Sequence, residues 1–161
     1  FFFRNMYRVA RSTVVTRFVR SKVTTASAVW KGTLKDGEGA MSVGTGAIQG
    51  QKYSFPSRFE NDNTKTNPEE LIGAAHAGCY SMFLSALMSK EGLNPAEVTT
   101  TATVTLGDGP ALTSIALKNE TKCDGINQET FDKLAAEAKA NCPITKALAG
   151  VGEITLDAKL L

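Results

Sequence analysis

The chain has 161 residues, 42% hydrophobic and 21% charged, the balance of one globular domain large enough to build its own core. Its net charge of +2 conceals an asymmetry: residues 1–22 carry Arg4, Arg8, Arg11, Arg17, Arg20 and Lys22 and no acid, leaving 12 bases against 16 acids in the remainder. A mildly acidic body argues against a nucleic-acid-binding domain, and three cysteines, an odd number, argue against a secreted disulfide framework.

The opening segment, FFFRNMYRVARSTVVTRFVRSKVTTAS, is Arg-rich, acid-free and dotted with Ser and Thr, the composition of a mitochondrial or plastid transit peptide. Residues 1–21 are therefore set apart as a basic N-terminal extension and residues 22–161 as a single domain, with a basic surface arm as the alternative reading. A transit peptide would place the protein in the mitochondrial matrix; without one the expectation is the cytoplasm.

Val23 to Leu34 is β-prone, and Lys35 to Gly39 reads as a turn into a second strand, so a hairpin is expected there. A further strand is expected near Gln51 to Phe59, followed by a polar loop. Asn67 to Met88, NPEELIGAAHAGCYSMFLSALM, is the organising stretch. Asn67 caps, Pro68 suits the first helical position, and Glu70 completes an N-x-x-E pattern. From Leu71 to Met88 no residue is charged and apolar residues lie on every side, which predicts a buried helix. Its length just reaches that of a membrane span, but His76, Ser81 and Ser85 interrupt a modest apolarity. Gly73, Ala74, Ala77 and Gly78 suggest instead that another helix or backbone comes close.

Glu97 to Leu106 alternates Val98, Thr100, Ala102, Val104 and Leu106 against threonines, and Gly107 to Pro110 turns the chain into a second strand over Ala111 to Lys122. Asn127 caps a helix with Phe131, Leu134, Ala135 and Ala138 on one stripe. Pro143 to Leu148 starts a short helix with Cys142 at its head, and Val151 to Leu161 alternates as a half-exposed strand. The order of strands, helix, strands, helix and strand makes the class α+β.

Cys79 sits about three turns into the central helix, too deep for that helix's own dipole to lower its pKa. A thiolate there needs another cation. Outside the basic segment the chain has one arginine, Arg58, a candidate for that cation, and Glu69 could hold it through a paired hydrogen bond; a surface arginine and a helix-capping glutamate explain the two residues as well. His76 precedes Cys79 by three residues on the same helix face, either as a base or as a satisfied core histidine. Cys142, at a helix start, is a candidate for a thiol of lowered pKa. Cys123, beside Lys122 and Asp124, reads as incidental.

TNPEELIGAAHAGCYSM at Thr66 to Met82, NCPITKAL at Asn141 to Leu148 and SRFE at Ser57 to Glu60 resemble the OsmC/Ohr family of thiol-dependent hydroperoxide reductases, closer to the OsmC branch. The resemblance runs from about Lys22 to the C-terminus. It implies that Cys79 is the peroxidatic cysteine, oxidised to a sulfenic acid, and Cys142 the resolving cysteine that closes a disulfide with it. It implies that Arg58 stabilises the thiolate and the departing oxygen and that Glu69 holds Arg58. It also implies antiparallel sheets packed on a buried central helix, an intertwined homodimer with sites at the interface, and no bound cofactor; an apolar site there would favour organic hydroperoxides over hydrogen peroxide. An external reductant, a lipoyl-type dithiol or a thioredoxin-like protein, would complete the cycle. Two other classes compete: a zinc site from His76, Cys79, Cys123 and Cys142, with poor spacing, and a non-catalytic dimer or binding module on the same fold.

Overall fold

The computed structural model describes residues 21–60, 62–109 and 111–161. The basic extension, apart from its last residue, lies outside them, and so does the reading placed on it. The described chain runs β1 (Ala26–Lys31), β2 (Glu38–Val43), β3 (Gln51–Ser54), α1 (Phe55–Phe59), α2 (Pro68–Lys90), β4 (Glu97–Leu106), β5 (Leu112–Lys122), α3 (Gln128–Asn141), α4 (Pro143–Ala147) and β6 (Glu153–Leu160).

Two three-stranded sheets result. The first, β1-β2-β3, is antiparallel throughout and packs mainly on α1. Trp30 and Tyr53 meet across it with ring centroids 5.3 Å apart, and Gly39 lies against both rings, where an added Cβ would fall 2.3 Å from Tyr53. The second sheet is mixed: β4 pairs antiparallel with β5, but β6 returns parallel to β5. That return needs a crossover, which α3 and α4 supply. The expected strand over Gln51 to Phe59 is therefore strand only to Ser54. The reason is local: Ser54 caps α1 in a reciprocal capping box with Ser57, and Pro56 suits a first turn.

The core lies between α2, the second sheet and α3. Tyr80, Leu84, Leu87 and Met88 of α2 meet Ile115 and Leu117 of β5 and Phe131, Leu134, Ala135 and Ala138 of α3. The alternation of β4 holds along its length, with the threonines at 99, 101, 103 and 105 outward. On β5 the inward face continues into Asn119 and Thr121, both fully buried. They are satisfied by a side-chain ladder: Asn119 donates to the Thr99 carbonyl and to Thr100 Oγ1, both at 3.0 Å, Thr121 donates to Asn119 Oδ1 at 2.8 Å, and Ser81 donates to Thr100 at 2.7 Å. A buried amide needs such partners.

Asn67 caps α2 as expected, accepting from the Glu70 N–H at 2.8 Å, although the Glu70 carboxylate takes a bond from Thr66 Oγ1. Gly92, at φ +76°, ends α2 in the left-handed conformation. The expectation of burial on every side is not met within one chain. Ala74, Ala75, Gly78, Met82 and Ala86 are exposed, Met82 at 78%. Long and apolar enough to span a bilayer, α2 packs its other face on β4, β5 and α3. The small residues thus divide. A Cβ at Gly73 would lie 3.3 Å from Val104 Cγ2 and 3.5 Å from the Ala102 carbonyl oxygen, so Gly73 is the close approach of α2 to β4, whereas a Cβ at Gly78 would meet nothing within 4 Å among the described residues. Gly73→Val is expected to destabilise the chain by about 1–3 kcal/mol through overpacking, measured by urea unfolding.

Candidate active site

α2 carries three of the candidate residues on one rod. Glu69 stands in its first turn, His76 near its middle, and Cys79 one turn further on. Glu69 and His76 are buried, and Cys79 is half-buried. Cys142 is completely buried where α3 ends and α4 begins. This junction packs on α2, so two thiols 63 residues apart in sequence have their sulfurs 3.0 Å apart, both unbridged.

At that distance the two sulfurs share a proton. Burial raises the pKa of Cys79, and the bond with Cys142 raises it further, while the Ile144 N–H works against both. Burial also pushes Cys142 upward, but the bond with Cys79, the N–H groups of Thr145 and Ile144, and the Thr145 hydroxyl outweigh it, so its net direction is down. Within a single chain the negative charge of the pair therefore rests more readily on Cys142.

Arg58 lies on α1, and how it is held was not readable from spacing. Ser57 Oγ donates to the Thr66 carbonyl at 2.9 Å and Asn67 Nδ2 donates to the Ser57 carbonyl at 3.2 Å, clamping α1 onto the start of α2. This brings Arg58 to Glu69. Its Nε and Nη2 both donate to Glu69 Oε1, at 3.1 and 2.8 Å, so the fork closes on one oxygen. Glu69 Oε2 is buried with no partner among the described residues. The guanidinium also lies 5.2 Å from the centroid of Phe59. Two clefts flank the pair. One, of about 270 Å³, is lined by Arg58, Asn67, Glu69 and residues of β4; the other, of about 240 Å³, by Trp30, Leu34, Tyr53, Phe55, Phe59 and Arg58.

The structure thus forms two half-sites, the thiol pair and the Arg58–Glu69 pair. Glu69 and Cys79 are ten residues apart on one helix, about 15 Å along its axis, and no cation figures among the groups that shift Cys79. Cys123 stands just after β5, half-buried, its sulfur 3.5 Å from the Asp124 carbonyl oxygen. His76, Cys79, Cys123 and Cys142 do not converge as a zinc set: among the described residues no three His, Cys, Asp or Glu side chains are grouped to hold a metal. His76 instead makes a 2.8 Å hydrogen bond to Thr145 Oγ1, a partner that sequence reading did not single out.

Residues 61–157 match the family model described as OsmC-like protein. The peroxiredoxin OsmC of Escherichia coli K12 is 46% identical over 134 residues, covering 81% of this chain and 92% of that protein. The organic hydroperoxide resistance protein-like 1 of Staphylococcus epidermidis is 28% identical over 103 residues, covering 62% of this chain and 74% of its own. A crystal structure of an organic hydroperoxide resistance protein OsmC from Legionella pneumophila superposes with a TM-score of 0.66 at 21% identity, covering 86% of this chain and 99% of that one. By fold and by sequence, this chain belongs to the OsmC family.

Proposed function

We propose that the protein is a thiol-dependent peroxidase that reduces organic hydroperoxides through Cys79 and Cys142. The observation that carries this reading is the 3.0 Å approach of two unbridged thiols, one fully buried and one half-buried. The names borne by the relatives, peroxiredoxin and organic hydroperoxide resistance protein, support it.

The chemistry runs in three balanced steps. The Cys79 thiolate attacks the terminal oxygen of the peroxide; an S–O bond forms, the O–O bond breaks, and the alkoxide takes a proton to leave as an alcohol. Cys142 then attacks the Cys79 sulfenic acid, expelling hydroxide as water and leaving a disulfide. An external dithiol, lipoyl-type or thioredoxin-like, reduces it by exchange and restores both thiols. The aromatic cleft beside Arg58 favours an organic hydroperoxide over hydrogen peroxide.

Activation needs a cation at Cys79, and Arg58 of the same chain is held at Glu69, about 15 Å away along α2. A second copy supplies it if the two α2 helices pack antiparallel through the outward face that includes Ala74, Gly78 and Met82. That arrangement covers the uncharged stripe that one chain leaves bare and delivers the partner's guanidinium to the thiol. The charge of the pair then moves onto Cys79, because an opposite charge within about 4–6 Å favours the ionised form.

Reduced protein given one equivalent of an organic hydroperoxide is expected to lose about two mass units, localised by peptide mapping to Cys79 and Cys142. Oxygen retained at Cys79 without a disulfide would remove Cys142 as resolver, and an unreacted Cys79 would favour the non-catalytic dimer. Arg58→Met should lower peroxide turnover about 100-fold and move the Cys79 thiolate titration, followed by ultraviolet absorbance, to higher pH. The sign follows from the charge: without the guanidinium, burial and Cys142 alone hold the Cys79 pKa up, so activity is recovered only as pH rises. A Cβ added at Gly78 would meet nothing within 4 Å among the described residues, and Gly78→Leu is expected to leave the fold intact while abolishing dimerisation and turnover together, read by sedimentation velocity and peroxide consumption.

A further inference from the structure

His76 has no part in the three steps above, yet it is completely buried and bonded to Thr145, the third residue after Cys142. Its Nδ1 is buried without a partner among the described residues. That asymmetry bears on the proton. A buried acceptor without a partner is less rare than a buried N–H without one, which favours the tautomer with the proton on Nε2, donating to Thr145 Oγ1. Burial lowers the His76 pKa and keeps the ring neutral.

Thr145 Oγ1, already accepting, is left with its own proton to give. A helical threonine usually donates that proton back to a carbonyl three or four residues earlier. Thr145 is the third residue of α4, whose N-cap is Cys142, so the bond from His76 leaves the hydroxyl proton free to turn toward the Cys142 sulfur, where it would help draw the thiol toward ionisation. The order of donation this allows is His76 Nε2–H to Thr145 Oγ1, 2.8 Å away, and Thr145 O–H to the Cys142 sulfur, which itself lies 3.0 Å from Cys79.

We infer that His76 is a positioning residue for disulfide formation, aligning the Thr145 hydroxyl as a hydrogen-bond donor to the Cys142 thiolate. The inference rests on the two-cysteine reading and assigns the preparation of its second step. There the Cys142 thiolate attacks the sulfur of the Cys79 sulfenic acid. The S–S bond forms, the S–O bond breaks, and the hydroxide takes up the proton that Cys142 released on ionising. The sulfenic sulfur is reduced and the Cys142 sulfur oxidised.

The charged and titratable groups on the elements packed around these donors are few among the described residues. On α3, Lys139 shares a cleft with Thr145, and on α4, Lys146 bonds to Asn141. On the sheet, Lys122 pairs with Glu97 and Lys118 with Glu120. On α2 itself, Tyr80 donates to the Ala135 carbonyl.

The test uses the full chain with Cys79→Ser and Cys123→Ser, leaving Cys142 as the only thiol, and follows its thiolate by ultraviolet absorbance against pH. His76→Met and Thr145→Val are each expected to raise the midpoint by about one pH unit, the scale of a lost hydrogen bond to a charged group. His76→Gln, whose amide places an N–H near the position of Nε2, should restore it. With both cysteines present, quenched-flow mass spectrometry should find disulfide formation slowed about tenfold in the first two variants, with sulfenic acid formation at Cys79 not slowed. A midpoint unmoved in Thr145→Val overturns the inference, and so does a midpoint raised equally by His76→Gln and His76→Met, which would mark a packing role. Thr145→Val is nearly isosteric at a half-buried site and decides the matter if the His76 variants fail to fold. Should Cys79 not react with peroxide at all, the peroxidase reading falls, while the Cys142 titration still decides whether the donor chain exists.

Discussion

One helix sets the geometry of everything else here. On α2, Glu69 and Cys79 are ten residues apart, and an α-helix rises about 1.5 Å per residue, so a rigid rod holds the arginine clamp and the thiol at opposite ends of a fixed interval. No side-chain rearrangement within one chain closes that distance while Arg58 stays bonded to Glu69. The consequence is a molecule in which the candidate residues form two separate clusters. The thiol half is set by the junction of α3 and α4 packing on α2, and the cationic half by the clamp of α1 through Ser57 and Asn67.

The same rod explains why its uncharged surface is divided. One face is committed to β4, β5 and α3, with Gly73 admitting the backbone of β4 and Tyr80, Leu84 and Met88 filling the core. The other face is uncharged yet exposed, and the first sheet, which contributes nothing to the buried cluster, does not cover it. A bare apolar helix face is a candidate interaction surface. The proposed antiparallel pairing answers both facts with one contact, since it buries the stripe and brings each clamp to the other chain's thiol.

Electrostatics in the thiol pair follow from proximity and burial. Two sulfurs at 3.0 Å cannot ionise independently, and whichever receives more hydrogen bonds keeps the charge. Inside one chain that is Cys142, served by the Ile144 and Thr145 amides and the Thr145 hydroxyl. In the proposed cycle, attack on a peroxide needs the charge on Cys79, and the later closure of a disulfide needs it on Cys142. The proposed guanidinium from a second copy and the inferred donor chain, acting on different sulfurs, would suit those two moments.

Local chemistry made much of this legible in the sequence. Asn67, Pro68 and Gly92 mark the ends of α2, the threonine alternation marks β4, and Asn127 with its apolar stripe marks α3, because caps, periods and turn residues act within a few positions. The lone Arg58 and the two cysteine motifs stood out by residue type and by resemblance. What spacing did not carry was α1 in place of a strand end, since a two-serine capping box lies inside a β-prone run, and the parallel return of β6, since direction depends on the crossover. The bond between His76 and Thr145, 69 positions apart, was equally out of reach. By itself the sequence determined most of the elements, the fold class and the reactive residue types, all set by short-range forces. Only the tertiary structure decided which side chains meet and which face of α2 stays bare, because those depend on how rigid elements of fixed length pack in three dimensions.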